Sequence, residues 1–340
     1  MAGTTGSDRR IIELLEVDAP ARDLDWLKES LQTAVELELA TLPVYLSGMW
    51  SIKSGSGEVF DLIDSVVREE MLHLGLACNM LKAIGGSPKM RVPDYPGHLP
   101  GGVRPELWVF LAGLSHDSVA MYMEIEKPEH PLALRAETFP TIGDFYDAIL
   151  AAFKALSPPP QLSTTGQQTS TLHVPKPSGG SPIPEPLKKL ATLADVEEAI
   201  ATIKEQGEGT TKSPDAPEFG GELAHFYRFG EIFHGKELIP VDGGFKFEGP
   251  PVPFPDPSEL FAMAEVPPGG YPDLPESQAF DKAFGTLLSQ LEQAWADGGS
   301  PGSLGQAIGT MFTLAGLATP LMQKPRPSGG GNFGPDFRPA

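Results

Sequence analysis

Two Glu-x-x-His words, Glu70-Met71-Leu72-His73 and Glu222-Leu223-Ala224-His225, constrain this chain more than any other feature. Each stands in a stretch with helical apolar spacing, and residues three apart on a helix project from nearly the same face. A carboxylate and an imidazole offered together make a two-point clamp for a metal ion. Two such clamps on facing helices, joined by one Glu from each of two further helices, form a dinuclear carboxylate site in a bundle core. One word alone arises by chance in many helices. Two of them in long helices, in this order, carry more weight.

The apolar pattern supplies the helices. Residues 23–52 read as a long helix with Leu27, Leu31, Ala34, Val35 and Glu38 at helical spacing, and Pro43 falls late enough to kink it. After the turn at 54–57, residues 58–84 read as a second helix, stopped by Gly85-Gly86. The short turn makes the two antiparallel neighbours. Residues 87–104 read as an extended Pro- and Gly-rich crossover, and 105–126 as a third helix closed by Pro128. A shorter helix follows at 141–156, with Thr141 and Asp144 spaced as a capping box. Residues 157–186 lack periodicity and read as a loop or a lid over the body. Residues 193–206 read as a short helix, 218–237 as the fourth long one, and 240–257 as extended. Two closing helices are expected at 278–296 and 304–322. The expected fold is all-α: a four-helix bundle with long Pro/Gly-rich loops and additional C-terminal helices. The bundle occupies 1–239 with an inserted loop at 157–217, the segment 240–322 packs on it, and 323–340 is a low-complexity tail, disordered or pinned as a strip.

Register selects among the acidic residues. Glu38 precedes the first turn by about as many residues as Glu70 follows it, so the antiparallel pair brings Glu38 level with Glu70 and His73. Glu36 lies about 200° round the helix and is expected in solvent. A further word, Glu231-Ile232-Phe233-His234, is half a turn out of register with Glu222 and is expected at the surface or behind the ligands. On the third helix Glu126 shares a stripe with Leu111, Ser115, Ser118 and Tyr122, while Glu124 and Asp144 compete for the same role. The metal-free alternative is a hydrogen-bonded polar network of the same groups. Converging carboxylates repel and are costly to desolvate, which favours a metal. His116 and His130 lack a helical carboxylate partner and read as surface or loop residues.

Bulk properties exclude several partners. A net charge of −20 argues against nucleic acid, whose binding needs Lys and Arg, and against an anionic membrane. Cys78 is the one cysteine, sits in an apolar helical stretch, and reads as a buried small hydrophobe. The first residues lack the pattern of a secretory signal, and no stretch reaches the roughly 18 apolar residues of a membrane-spanning helix. A cytoplasmic protein is the expectation.

The motif Leu37-Glu38-Leu39-Ala40-Thr41-Leu42-Pro43-Val44-Tyr45-Leu46 resembles the first-helix signature of a ferritin-like family that includes the imine dimer synthases of violacein- and rebeccamycin-type pathways. The resemblance continues through 69–74, 79–81 and 84–86, then Ile125-Glu126-Lys127-Pro128-Glu129, 142–146 and His225-Phe226-Tyr227-Arg228-Phe229. It implies iron-dependent oxidative chemistry and secondary metabolism. Carried over residue by residue, it implies Glu38, Glu70, His73, Glu126, Glu222 and His225 as ligands. Leu39 stands where many members carry His, and the chain is far shorter than the large synthases.

The expected function is a di-iron oxidase, oxygenase or peroxide-using enzyme. Its partners would be dioxygen or peroxide and a small organic, amino-acid-derived molecule. Two iron ions are the expected cofactor, and manganese suits the same oxygen and nitrogen donors. Tyr45, Met121, Tyr122 and Tyr227 are candidate pocket residues, though such residues are more often plain core. Homo-oligomerisation is compatible with all of this. The alternatives are a ferroxidase or iron-handling protein and a non-catalytic metal-binding bundle.

Overall fold

The computed structural model describes residues 11–102, 104–128, 142–176, 181–208, 214–216, 222–297, 299 and 301–339. Their order is α1 (Ile11–Leu15), α2 (Leu24–Trp50), α3 (Glu58–Ala83), α4 (His116–Ile125), α5 (Ile142–Ala155), β1 (Ser170–Val174), β2 (Ile183–Leu187), α6 (Leu193–Glu208), β3 (Asp215–Ala216), β4 (Glu222–Leu223), α7 (His225–His234), β5 (Lys236–Val241), β6 (Gly244–Pro251), α8 (Pro275–Trp295) and α9 (Pro301–Gln323). The fold is helix-rich but not all-α. The strands form three two-stranded antiparallel sheets, β1 with β2, β3 with β4 and β5 with β6.

Helix α2 starts where Asp23 accepts the Trp26 N–H at 2.9 Å, and it packs along α3. Pro43 withdraws one N–H from its ladder. Around that turn the Glu38 carbonyl accepts Thr41 Oγ1 at 2.9 Å and the Ala40 carbonyl accepts Tyr95 Oη at 2.5 Å. Helix α3 ends at Gly85, whose φ of +77° suits a residue without a Cβ. Helix α4 packs on α7, and both meet the α2–α3 pair.

Two expected helices are shorter than the sequence pattern suggested. The third begins at His116 rather than at 105, because Ser115 and Ser118 form a capping box there. Upstream, Gly97 bridges Val109, and Gly113 N–H donates to the Met263 carbonyl at 3.2 Å, so those backbone groups are taken by loops. The fourth begins at His225 rather than at 218: Glu222 and Leu223 are in β4, and Ala224, with extended backbone, is the cap. The expected Thr141 cap, His130 and residues 217–221 lie outside the described residues.

The region expected as an inserted loop carries β1, β2 and α6, which lie against α3. Asn79 of α3 ties it down. Its Nδ2 donates to the Gln168 and Lys188 carbonyls at 2.9 and 2.8 Å, while its Oδ1 accepts from Gln168 N–H and Trp295 Nε1 at 2.9 and 2.8 Å. All four bonds are satisfied inside the protein, so one side chain joins α3, α8 and both flanks of the β1–β2 pair. Helices α8 and α9 pair with each other; α8 touches α3 and α9 touches α2.

The tail is pinned. Phe337 lies against Trp50, Phe280 and Phe284 with ring centroids 5.9, 4.9 and 5.1 Å away. Buried Asp336 accepts from Tyr271 N–H and Ser277 Oγ at 2.8 and 2.9 Å. Among the described residues no helix is long and apolar enough to cross a membrane.

Candidate metal centre

Helix α2 delivers Glu38 and α3 delivers Glu70 and His73, all buried. Antiparallel packing sets them level, as the register argument required. His73 Nδ1 lies 3.5 Å from Glu70 Oε1 and 3.8 Å from Glu38 Oε2. Glu126, the residue that closes α4, and His225, the first of α7, complete the cluster. His225 Nδ1 lies 2.9 Å from Glu70 Oε1 and 3.5 Å from Glu126 Oε2. Two groups of three can each hold an ion: Glu38, Glu70 and His73, and Glu70, Glu126 and His225, with ligand atoms within 4.8 Å of one another in each. Glu70 belongs to both.

The sixth sequence-predicted residue does not join them. Glu222 lies in β4 and pairs with Lys176 at 3.3 Å. The i, i+3 geometry that would set it beside His225 exists only within a helix, and the helix starts after it. The competitors resolve physically. Glu36 is buried, but away from the cluster, where it accepts from Gln32 Nε2 at 2.9 Å and pairs with Arg91 at 3.3 Å. Glu124 is half exposed and pairs with Lys127 at 3.3 Å, and Asp144 sits in the first turn of α5. Glu231 is buried and accepts the Leu238 N–H at 2.8 Å. His234 stacks on Phe247 at 4.4 Å.

Several groups around the ligands were not legible in the words. Tyr146 of α5 donates to Glu38 Oε1 at 2.5 Å, Tyr45 donates to Glu126, and Thr41 donates to Glu70 Oε2 at 2.8 Å. Behind the imidazoles, His225 Nε2 meets Glu69 Oε2 at 2.9 Å, and His73 Nε2 meets Gln206 Oε1 at 2.8 Å. Glu69 is itself held by Arg228 at 3.0 Å, and Gln206 donates to Glu185 Oε2 at 2.7 Å. The sequence signals were the doubled acid Glu69-Glu70 and the Arg three residues after His225. Nothing local points to Gln206 or Glu185.

Burial, and then the neighbouring Glu70 charge, push the Glu38 carboxyl up to about 8. Glu126 is raised for the same two reasons. Burial would raise Glu70 too, but His225 and His73 hold it well below the ordinary carboxylate range. Both imidazoles are raised against the opposing effect of burial: His73 by Glu70 and Glu38, His225 by Glu126, Glu69 and Glu70. Without a metal, protons balance the packed carboxylates.

His225 Nδ1 is buried and makes no hydrogen bond, although it faces two carboxylate oxygens. A stranded polar atom is costly unless something fills the gap. Three carboxylates and two imidazoles are the oxygen and nitrogen donors that iron and manganese take. The residues fit a metal pair. A cavity of about 30 Å³ opens beside them, lined by Thr41, Glu70 and Tyr146 and by the partly exposed Arg104, Lys127 and Lys204. That is room for a guest of about the size of a water molecule.

A sequence model of the family described as Ferritin-like matches residues 31–234, a span that includes every cluster ligand. A crystal structure of a ferritin-like protein from Caulobacter vibrioides superposes with a TM-score of 0.59 at 22% identity, covering 92% of this chain and 97% of that one. At that identity the likeness speaks for the fold alone. None of the curated proteins matches the sequence.

Proposed function

The chain belongs to the ferritin-like family, and from that premise we propose that it is a dinuclear iron oxidoreductase acting on a small organic molecule. Glu70 carries the proposal. One buried carboxylate shared by two Glu/His groups is the arrangement that sets two ions side by side. Each position receives three protein ligands, one of them shared, which leaves room for exogenous ligands as catalytic metal sites do.

Iron bound here would supply redox electrons and oxygen activation. The chain's own residues supply the setting. Glu38, His73 and Glu70 would hold one ion, and Glu70, Glu126 and His225 the other. Tyr146, Tyr45 and Thr41 hold protons against Glu38, Glu126 and Glu70 and keep each carboxylate in place. Packed helices exclude bulk water, and the small cavity beside Glu70 takes a guest of about the size of a water molecule. Manganese fits the same donors. A four-helix bundle as the functional unit, a cytoplasmic setting, an amino-acid-derived substrate and a place in secondary metabolism beside the imine dimer synthases complete the reading. The motif around Glu38, Glu70 and His225 supports the last two.

The test is oxidant consumption by ferrous-loaded protein, using dioxygen and then hydrogen peroxide, across a panel of amino-acid-derived compounds. Consumption that depends on one of them and yields an oxidised organic product is expected. Consumption driven by ferrous ion alone, with no organic product, would assign ferroxidase activity instead. A loaded protein that consumes neither oxidant under any condition would leave a non-catalytic metal-binding bundle.

A further inference from the structure

The two halves of the centre are matched on the inside and unmatched on the outside. Inward, each has its own carboxylate, its own imidazole, a share in Glu70 and a tyrosine donating to its carboxylate. Outward, His225 Nε2 faces a carboxylate, Glu69, at 2.9 Å, whereas His73 Nε2 faces an amide oxygen, Gln206, at 2.8 Å. Resting on the metal-binding reading above, we propose that Glu69 and Gln206 are positioning residues that make the two metal positions unequal, so that the Glu126–His225 position fills first.

Chemistry assigns the orientation of each partner. Glu69 is ionised beside Arg228, whose guanidinium also donates to Ser65 Oγ at 3.0 Å. A carboxylate only accepts, so His225 must carry its proton on Nε2 and turn the Nδ1 lone pair to the ligands. Glu185 acts in the same way at one further remove. Its Oε2 accepts the Gln206 amide N–H₂ at 2.7 Å, which turns the amide oxygen to His73 and places that proton on Nε2 as well. Both histidines thus offer Nδ1 inward. They differ in how strongly the group behind pulls on the N–H. A charged acceptor raises the basicity of a ligating imidazole more than a neutral one does, and losing such a partner typically costs roughly 10- to 100-fold in metal affinity. Glu185 and Gln206 come from β2 and α6, outside the helices that bear the ligands, which gives those added elements a role in tuning the centre.

Anaerobic titration of metal-free protein with cobalt(II), read by calorimetry and visible absorption, tests this. Wild type is expected to bind two equivalents in steps separated by roughly 10-fold or more. Glu69→Gln keeps an acceptor but removes the charge, and should bring the first step down towards the second. Gln206→Leu should weaken the second step roughly 10- to 100-fold and leave the first unchanged. The double variant Gln206→Glu with Glu185→Gln moves the carboxylate against His73 and should tighten the second step and alter its absorption band. A merely structural role cannot produce that gain. Equal wild-type steps, a first step indifferent to Glu69→Gln, or a second step weakened by the double variant would overturn the proposal while leaving the metal centre intact. A protein that binds no cobalt would overturn both.

Discussion

Glu70 Oε1 approaches His225 Nδ1 to 2.9 Å, yet no hydrogen bond joins them, and the same oxygen stands 3.5 Å from His73 Nδ1. One carboxylate from the middle of α3 therefore faces both imidazoles, and the consequences below follow from that geometry.

Removing Glu222 should leave the centre untouched. It lies in β4, away from the ligands, and its largely buried side chain pairs with Lys176 at 3.3 Å. Glu222→Ala should retain the wild-type iron content while losing about 1–3 kcal/mol in urea denaturation, because Lys176 is left without that partner. Glu126→Ala should retain one equivalent fewer. Metal analysis of the two variants side by side checks both statements.

Stability of the metal-free protein should fall as pH rises. Glu38 sits near 8 folded against 4.5 unfolded, so the folded state keeps a proton that the unfolded chain releases. His73 and His225 are raised above 6.5 and act in the same direction. These contributions are lost as pH climbs through the folded values. Glu69 and Glu70, both lowered, act oppositely, and their contribution is lost only as pH falls below about 4.5. Metal binding must displace the same protons. The gap in Tm between loaded and metal-free protein should therefore widen from pH 6 to pH 9, and calorimetry in matched buffers should record proton release on metal uptake.

Much of this centre is legible from residue spacing, and its failures have physical causes. Glu70 and His73 lie inside a long uninterrupted helix, where an i, i+3 interval means a shared face. Glu38 follows from antiparallel register. Glu222 and His225 show the same interval without that meaning, because the helix begins only at His225. Pro217 and Gly220-Gly221 just before them were the warning, being helix breakers. The third helix was overextended because apolar residues at 105–115 pack as loop, with backbone bonds to distant segments that no local pattern encodes. Gln206 and Glu185 were invisible for the same reason: their role depends on where α6 and β2 dock.

The tail should matter to folding despite its composition. Phe337 is buried in an aromatic cluster with Trp50, Phe280 and Phe284. Phe337→Ala should cost about 3–5 kcal/mol in urea denaturation, the usual loss for a buried aromatic. A variant within about 0.5 kcal/mol of wild type would show that the tail contributes nothing there.

Gly48 leaves room for the hydroxyl of Tyr122. A Cβ at this position of α2 would collide with that oxygen, which donates to the Val44 carbonyl at 3.2 Å, and Tyr122 packs edge-on against Tyr45 at 5.0 Å. Gly48→Ala should cost about 1–3 kcal/mol through overpacking, although alanine is the better helix former. The variant Gly48→Ala with Tyr122→Phe, which removes the colliding oxygen, should recover some of that loss.

Iron content is the most direct measure of the shared carboxylate. Wild-type protein reconstituted anaerobically with ferrous iron and freed of excess should hold close to two equivalents, and Glu70→Ala, folded by circular dichroism, should hold close to none. Retention of two equivalents by Glu70→Ala would contradict the account.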